Sequence, residues 1–69
     1  MVKGWHFGWD EVHYWVGARD SREAKITMRR YDEELAKLEP AEIPSDVVRF
    51  LALADGKVVT GRVLAPGRP

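Results

Sequence analysis

The residues of this sequence best suited to binding chemistry are aromatic and lie close together near the N-terminus. Five of the seven Phe, Tyr and Trp side chains fall within positions 5 to 15, and both histidines, His6 and His13, lie among them. On a β-strand, Trp5, Phe7 and Trp9 would share one face because side chains alternate. Rings on one face could stack against the bases of a single-stranded nucleic acid. The alternative is that they form the core, as in many small domains.

A second group of candidate binding residues is basic, and half of it lies in the first part of a predicted helix. Backbone N–H groups at a helix N-terminus attract anions, and nearby arginines strengthen that attraction. Together with the three rings, these residues form a candidate nucleic-acid or anion site consisting of Trp5, Phe7, Trp9, Arg19, Arg22, Lys25, Arg29, Arg49 and Arg62. The alternative is a solvated helix face on which the basic residues pair with nearby carboxylates.

Metal binding and catalysis have weaker signals in the sequence. His6, Asp10, Glu11 and His13 could supply zinc ligands, but their spacing matches no familiar pattern, and a site requires converging side chains. The sequence has neither a phosphate-binding glycine loop nor a Ser, His and Asp set in a motif context. We therefore expect no metal, no cofactor and no enzymatic activity.

Length and charge narrow the classes of function. A chain of 69 residues forms one domain at most, and a domain of this size buries only about 60% of its unfolded surface. Because the chain has no cysteine for a disulfide or a thiolate site, we expect a partner subunit to provide additional stability. The eleven basic and eleven acidic residues balance, without the basic excess usual in nucleic-acid-binding domains.

Targeting and membrane signals are not visible. Met1 and Val2 are followed by Lys3 and then by Trp and His, without the apolar segment of a secretory signal. The most apolar run, 47–54, is interrupted by Arg49 and is much shorter than the roughly 20 residues of a membrane helix. We therefore expect a soluble cytoplasmic protein that does not bind membranes.

The clearest predicted element is a helix over residues 21 to about 38. Asp20 and Glu23 have the spacing of a capping box, and Pro40 lies just beyond the end of the apolar pattern. The charges oppose the helix dipole, since the basic residues precede the acidic run at 32–34. An apolar stripe predicts packing on a sheet and consists of Ala24, Met28, Tyr31, Leu35 and Leu38.

Two strands are predicted before this helix. Residues 11–18 alternate, so that Val12 and Val16 would share one face while His13 and Trp15 lie on the other. Residues 2–7 would be the antiparallel partner, connected through a turn at 8–10. Glycines in the first strand would permit the close approach of a backbone or a ring.

Two further strands, 47–54 and 57–64, are predicted after the helix. The Asp-Gly dipeptide between them is a strong signal for a two-residue hairpin turn, because that turn requires positive φ values. The resulting register would place Phe50 over Gly61, where an aromatic ring covers a strand glycine. The alternative is a helix over 45–54.

This second hairpin would have two further consequences. Arg49 would lie opposite Arg62, and like charges directly across a strand pair repel unless solvent, a carboxylate or a bound anion relieves them. Both hairpin faces would be largely apolar, whereas one helix covers only one face. The uncovered side predicts a partner interface, unless the aromatic segment closes it. The interface residues would be Leu51, Leu53, Val58, Leu64 and Trp15.

Together these elements predict one α+β domain over residues 1–65, followed by a flexible C-terminal tail at 66–69. A small antiparallel sheet with the order β-β-α-β-β would carry one amphipathic helix on one face. The predicted function is a small cytosolic protein-interaction module, self-associating as a homodimer or binding another protein. The alternative is a single-stranded nucleic-acid or anion binder.

Overall fold

The structure is a computed structural model that describes residues 1–62. Within these residues the elements follow in the order β1 (Lys3–Trp9), β2 (Val12–Ala18), α1 (Ser21–Arg29), α2 (Glu33–Ala36), β3 (Ala41–Ile43), α3 (Ser45–Phe50) and β4 (Val58–Arg62). The strands form one antiparallel sheet in the order β3-β1-β2-β4. This confirms the predicted α+β class. The position of Leu64 and the tail predicted at 66–69 lie outside the described residues.

The first predicted hairpin is confirmed, with a different turn. Trp9 pairs with Val12, so the turn consists of Asp10 and Glu11 rather than residues 8–10. Asp10 has a positive φ of 61°, a conformation that Asp adopts more readily than most residues. The alternation predicted for both strands follows from this register.

The two faces of the sheet carry different residues. We call one the helix face, because α1 and α2 cover it; its side chains from the three longer strands include Trp5, Phe7, Trp9, Val12, Tyr14, Val16 and Val58. We call the other the histidine face. Its residues include His6, His13, Trp15, Val59 and the glycines Gly4, Gly8, Gly17 and Gly61.

The core lies between the helix face and the helices. Phe7, Val16 and Met28 are its largest fully buried side chains. Trp5 packs against this cluster, and its indole N–H donates a hydrogen bond to the carbonyl oxygen of Ala18 at 3.1 Å. Burial of each large apolar side chain contributes roughly 1.5–3 kcal/mol. The small domain therefore uses two of its N-terminal rings, Trp5 and Phe7, to build the core.

The predicted helix over 21–38 is divided into α1 and α2. Asp20 caps α1 as predicted, accepting a hydrogen bond from the backbone N–H of Glu23 at 2.9 Å. Asp32 caps α2 by accepting from the N–H groups of Glu34 and Leu35 at 3.1 and 3.3 Å. Such side-chain bonds compete with helix continuation. Because the helix turns here, Tyr31 is 57% exposed, and its predicted place on the buried stripe is wrong.

The second predicted hairpin is not formed. Residues 45–50 form α3, and β4 pairs with β2 instead of with 47–54. The helical alternative for this segment was the correct one, although the helix ends earlier, at Phe50. Asp46 in its first turn and Arg49 in its last turn complement the helix dipole, and this order offsets the strand preference of the β-branched residues.

Two contacts inferred from that hairpin are consequently wrong. Phe50 is 86% exposed on α3 and does not cover Gly61. The ring of Trp15 lies over Gly61 instead, since a Cβ atom there would be 3.3 Å from the indole. Arg49 belongs to α3, while the backbone of Arg62 pairs with that of Val12 in the sheet.

α3 and the segment after it cover one half of the histidine face by crossing a pair of opposed glycines. Gly4 pairs with Gly17, and a Cβ atom on Gly4 would lie 2.6 Å from the side chain of Val48. A Cβ atom on Gly17 would collide with the carbonyl oxygen of Ala54. Leu53, also in this segment, is only 6% exposed. The glycines of the first strand, Gly4 and Gly8, have side chains as their close neighbours, and the glycine that admits a crossing backbone is Gly17 of β2.

Substitution of Gly17 by Ala should destabilise the fold by about 2 kcal/mol or more, because the new methyl group meets a backbone atom that cannot rotate away. Gly61→Ala is the matched control. Its methyl group would meet only the edge of the Trp15 ring, so its cost should stay within about 1 kcal/mol. Urea unfolding of both variants measures the difference. Equal losses at the two positions would contradict the crossing described here.

The end of α3 places a non-glycine residue in a left-handed conformation. Ala52 has a φ of 54°. The backbone N–H of Leu53 donates to the carbonyl oxygen of Val48 and that of Ala52 to Arg49, both at 3.0 Å. This pair of bonds is a Schellman motif, in which glycine is the preferred residue. An alanine in this conformation costs roughly 1–2 kcal/mol.

Ala52→Gly should therefore stabilise the protein, by up to about 1 kcal/mol after the larger entropy of the unfolded chain is subtracted. Ala54 lies two residues further on and does not have a positive φ. Its replacement by Gly should be neutral or slightly destabilising. Thermal or urea unfolding distinguishes the two variants. A stability loss in Ala52→Gly as large as that in Ala54→Gly would show that α3 does not end as described.

Candidate functional site

The aromatic set proposed for base stacking is divided between the core and the surface. Trp5, Phe7 and Trp9 share the helix face, as predicted. Phe7 is only 1% exposed and Trp5 is partly buried, so neither presents an open ring face. Trp9 is 68% exposed and is the member of this set that is available to a ligand.

The basic residues proposed for anion binding do not form one surface. Arg19 forms a salt bridge with Glu23 at 3.0 Å, and Lys25 pairs with Glu39. Arg22 and Arg29 are exposed on α1, which covers the helix face. Arg49 is on α3, which packs at the histidine face.

The residues proposed as a partner interface are also separated. Leu53 is buried within the segment that follows α3, and Leu51 is half-buried at the end of that helix. Val58 packs against the core on the helix face, whereas Trp15 lies on the histidine face. Leu64 lies outside the described residues. These side chains therefore do not present the single apolar sheet face that the second hairpin would have provided.

The structure instead forms an apolar depression beside Trp9, which we call the Trp9 groove. Its volume is about 390 Å³, and its lining consists of Trp9, Val12, Asp32, Glu34, Leu35 and Leu38. The last pair of the β1–β2 hairpin supplies Trp9 and Val12, and α2 supplies Leu35. The groove thus depends on the division between α1 and α2, which moves α2 to the end of the hairpin.

The groove has an apolar floor and an acidic rim. Its lining contains the carboxylates of Asp32 and Glu34 and no basic residue. Glu34 also pairs with Lys37 at 3.6 Å, but both side chains are largely exposed, so this pair contributes little energy. A tryptophan face attracts cations through its quadrupole. The groove therefore suits an apolar side chain that has a positive charge beside it.

The sequence contains a signal for this groove in its order of charges. Arg29 lies at the C-terminal end of α1, and the acidic residues 32–34 lie at the N-terminal end of α2. Each charge is therefore at the dipole end that favours it. A charge order that opposes one long helix is the order expected of two shorter helices.

A second cluster lies on the open half of the histidine face. Nε2 of His6 is 2.8 Å from Nδ1 of His13, and the two rings stack with centroids 5.0 Å apart. The ring of Trp15 is 5.5 Å from His6 and 6.0 Å from His13. The pair lies over Gly8, where a Cβ atom would be 2.6 Å from Nδ1 of His13. We call these three rings the histidine cluster.

The two imidazoles share one hydrogen bond, in which one ring nitrogen donates and the other accepts. Burial lowers the pKa of His6 below its ordinary value, and the neighbouring charge of a protonated His13 lowers it further. Asp10 and Glu11, proposed with these histidines as metal ligands, do not join them. Within residues 1–62 no group of three or more His, Cys, Asp or Glu side chains converges as metal ligands would.

The lowered pKa of His6 predicts that stability falls as the solution is acidified. Between the ordinary histidine pKa of about 6.5 and the lower folded value, the unfolded chain binds more protons than the folded chain. The contribution of His6 to the free energy of unfolding should therefore be fully present above pH 6.5 and decrease below it. His6→Gln should reduce this pH dependence in urea unfolding at pH 7.5 and 5.5. An unchanged dependence in that variant would contradict the assignment.

Comparison with protein-family models, with curated proteins and with solved structures finds no significant match for this chain. In the part of the chain that the structure describes, no helix has the length and apolar character needed to cross a membrane.

Proposed function

We propose that this chain is a small, non-catalytic protein-interaction module that receives an apolar side chain of its partner in the Trp9 groove. The observation that carries the proposal is Trp9 itself, which is 68% exposed at the edge of an apolar depression. Tryptophan is enriched among the residues that dominate binding energy at protein interfaces. A groove of about 390 Å³ is near the lower end of ligand-site volumes and suits one or two side chains.

The charge of the groove indicates the chemistry of the partner. Because Asp32 and Glu34 are the charged residues of the lining, a basic residue beside the inserted side chain would be attracted to the rim. The exposed face of α3 carries this combination, with Phe50 86% exposed and the exposed Arg49 next to it. We therefore propose a second copy of the chain as the partner, with Phe50 of one copy in the Trp9 groove of the next.

The proposal is supported by the small size of the domain, since chains of this length commonly gain stability from a partner subunit. The two surfaces in the proposed contact are different, so the contact is heterologous. A cytoplasmic location is part of the proposal, and the sequence, which has no cysteine, is compatible with a reducing compartment.

Trp9→Ala and Phe50→Ala should each weaken self-association by at least about thirtyfold, because loss of a central aromatic contact costs about 2 kcal/mol or more. Sedimentation equilibrium over a range of concentrations measures the dissociation constant. Mixing the two variants should restore a complex of one copy of each, since one variant keeps the groove and the other keeps Phe50. Ile26→Ala, a change at an exposed apolar residue outside the groove lining, is the control and should have no effect.

The charged rim provides a second arm of the same experiment. Arg49→Glu should weaken association, and a Glu34→Lys chain mixed with it should recover part of the loss. A wild-type chain that remains monomeric at all concentrations would overturn the second copy as partner. Association that survives in both Trp9→Ala and Phe50→Ala would show that a different surface is used.

Added salt separates this proposal from nucleic-acid binding. A complex dominated by phosphate contacts weakens steeply with salt, whereas an apolar contact does not. The geometry favours the apolar contact, because Phe7 and Trp5 belong to the core and Arg19 and Lys25 are paired with carboxylates.

A further inference from the structure

We propose that His6 and His13 form a two-histidine site for a divalent transition-metal ion, with copper(II) bound more tightly than nickel(II) or zinc(II). The site lies on the histidine face and does not depend on the Trp9 groove, which is formed on the helix face. Imidazole is a ligand for copper, nickel and zinc, and affinity for these ions is highest for copper(II) in the Irving–Williams order.

The separation of the two ring nitrogens carries the proposal. Nε2 of His6 and Nδ1 of His13 are 2.8 Å apart. Two nitrogens bound at right angles to one ion, each at about 2.0–2.1 Å, are themselves about 3 Å apart. A rotation of the two partly exposed rings would direct both lone pairs at one point without a change in the backbone. The shared proton would then move to the outer nitrogen of its own ring, Nδ1 of His6 or Nε2 of His13, and the ion would bind the two inner nitrogens.

The protonation states required for binding are accessible in this pair. Each neutral imidazole has one N–H and one lone pair. Binding through Nε2 of His6 and Nδ1 of His13 requires the protons on the opposite nitrogens, Nδ1 of His6 and Nε2 of His13. A neutral pair binds the ion without losing a proton to solvent.

The surroundings leave room for an open coordination sphere. Gly8 lies beneath the rings, where any side chain would collide with them. Trp15 forms a wall within 6.0 Å of both imidazoles. Because no third His, Cys, Asp or Glu converges here within residues 1–62, water would occupy the remaining positions on the ion. The whole sequence contains two histidines and no cysteine, so any binding that depends on imidazole must use His6, His13 or both.

The test is a titration of the full chain with copper(II), nickel(II) and zinc(II), each alone, at pH 7.5 in a non-chelating buffer. Calorimetry should show one ion bound per chain, with copper(II) tightest. Copper(II) should also quench the fluorescence of Trp15, which lies beside the site. His6→Gln and His13→Gln should each lower the affinity at least tenfold. Glu11→Gln, a change in the nearby turn, should leave it unchanged.

Two further variants distinguish binding at the histidine pair from binding elsewhere on the chain. Trp15→Phe should keep its affinity in calorimetry while losing most of the quenching. Trp9→Ala should bind the ions as the wild type does, even if it loses self-association. Zinc(II) should shift the ring signals of both histidines in NMR spectra of the wild type, a readout that needs no substitution. Absence of binding, or equal affinity in the wild type and both histidine variants, would overturn the proposal.

Discussion

The fold depends on the close crossing of the segment after α3 over Gly17 in β2, where no side chain keeps the two backbones apart. Gly17 exchanges hydrogen bonds with the crossing segment: the N–H of Gly56 donates to its carbonyl oxygen at 2.7 Å, and its own N–H donates to Lys57 at 2.9 Å. These bonds start the pairing of β4 with β2. Any larger residue at Gly17 would move the segment outward and separate the two strands. The absence of a side chain at Gly17 therefore determines both how α3 covers the histidine face and which strand forms the outer edge of the sheet.

Local signals predicted the parts of the fold that depend on neighbouring residues. The alternation in β2, the cap by Asp20 and the buried positions of Ala24, Met28 and Leu35 were all predicted from spacing. The second hairpin was predicted wrongly, because its strongest signal, the Asp-Gly dipeptide, is only local. A turn does form at 54–57, with Gly56 at a φ of 81° and the N–H of Lys57 donating to the carbonyl oxygen of Ala54 at 3.0 Å, but Asp55 lacks the positive φ of the predicted hairpin turn. Which strand β4 joins is decided by Gly17, far away in the sequence.

The two candidate sites differ in how far the sequence could predict them. The histidine cluster follows from alternation in β1 and β2 once their register is known, since His6 pairs directly with Trp15. A one-residue change of that register would have moved one strand's rings to the other face. The Trp9 groove depends on the tertiary placement of α2. Its position follows from the division at Asp32, for which the order of charges was the available signal.

The pairing of β2 with β4 also has a consequence for synthesis of the chain. Val12 and Arg62 are partners in the sheet, although nearly the whole described chain separates them. During synthesis, the β1–β2 hairpin emerges from the ribosome long before β4 does. Until then the edge of β2 remains unpaired beside partly covered aromatic rings. Slow, non-local pairing of this kind exposes a nascent chain to aggregation. We expect the sheet to be completed only after β4 has emerged, with that edge of β2 exposed in the interval.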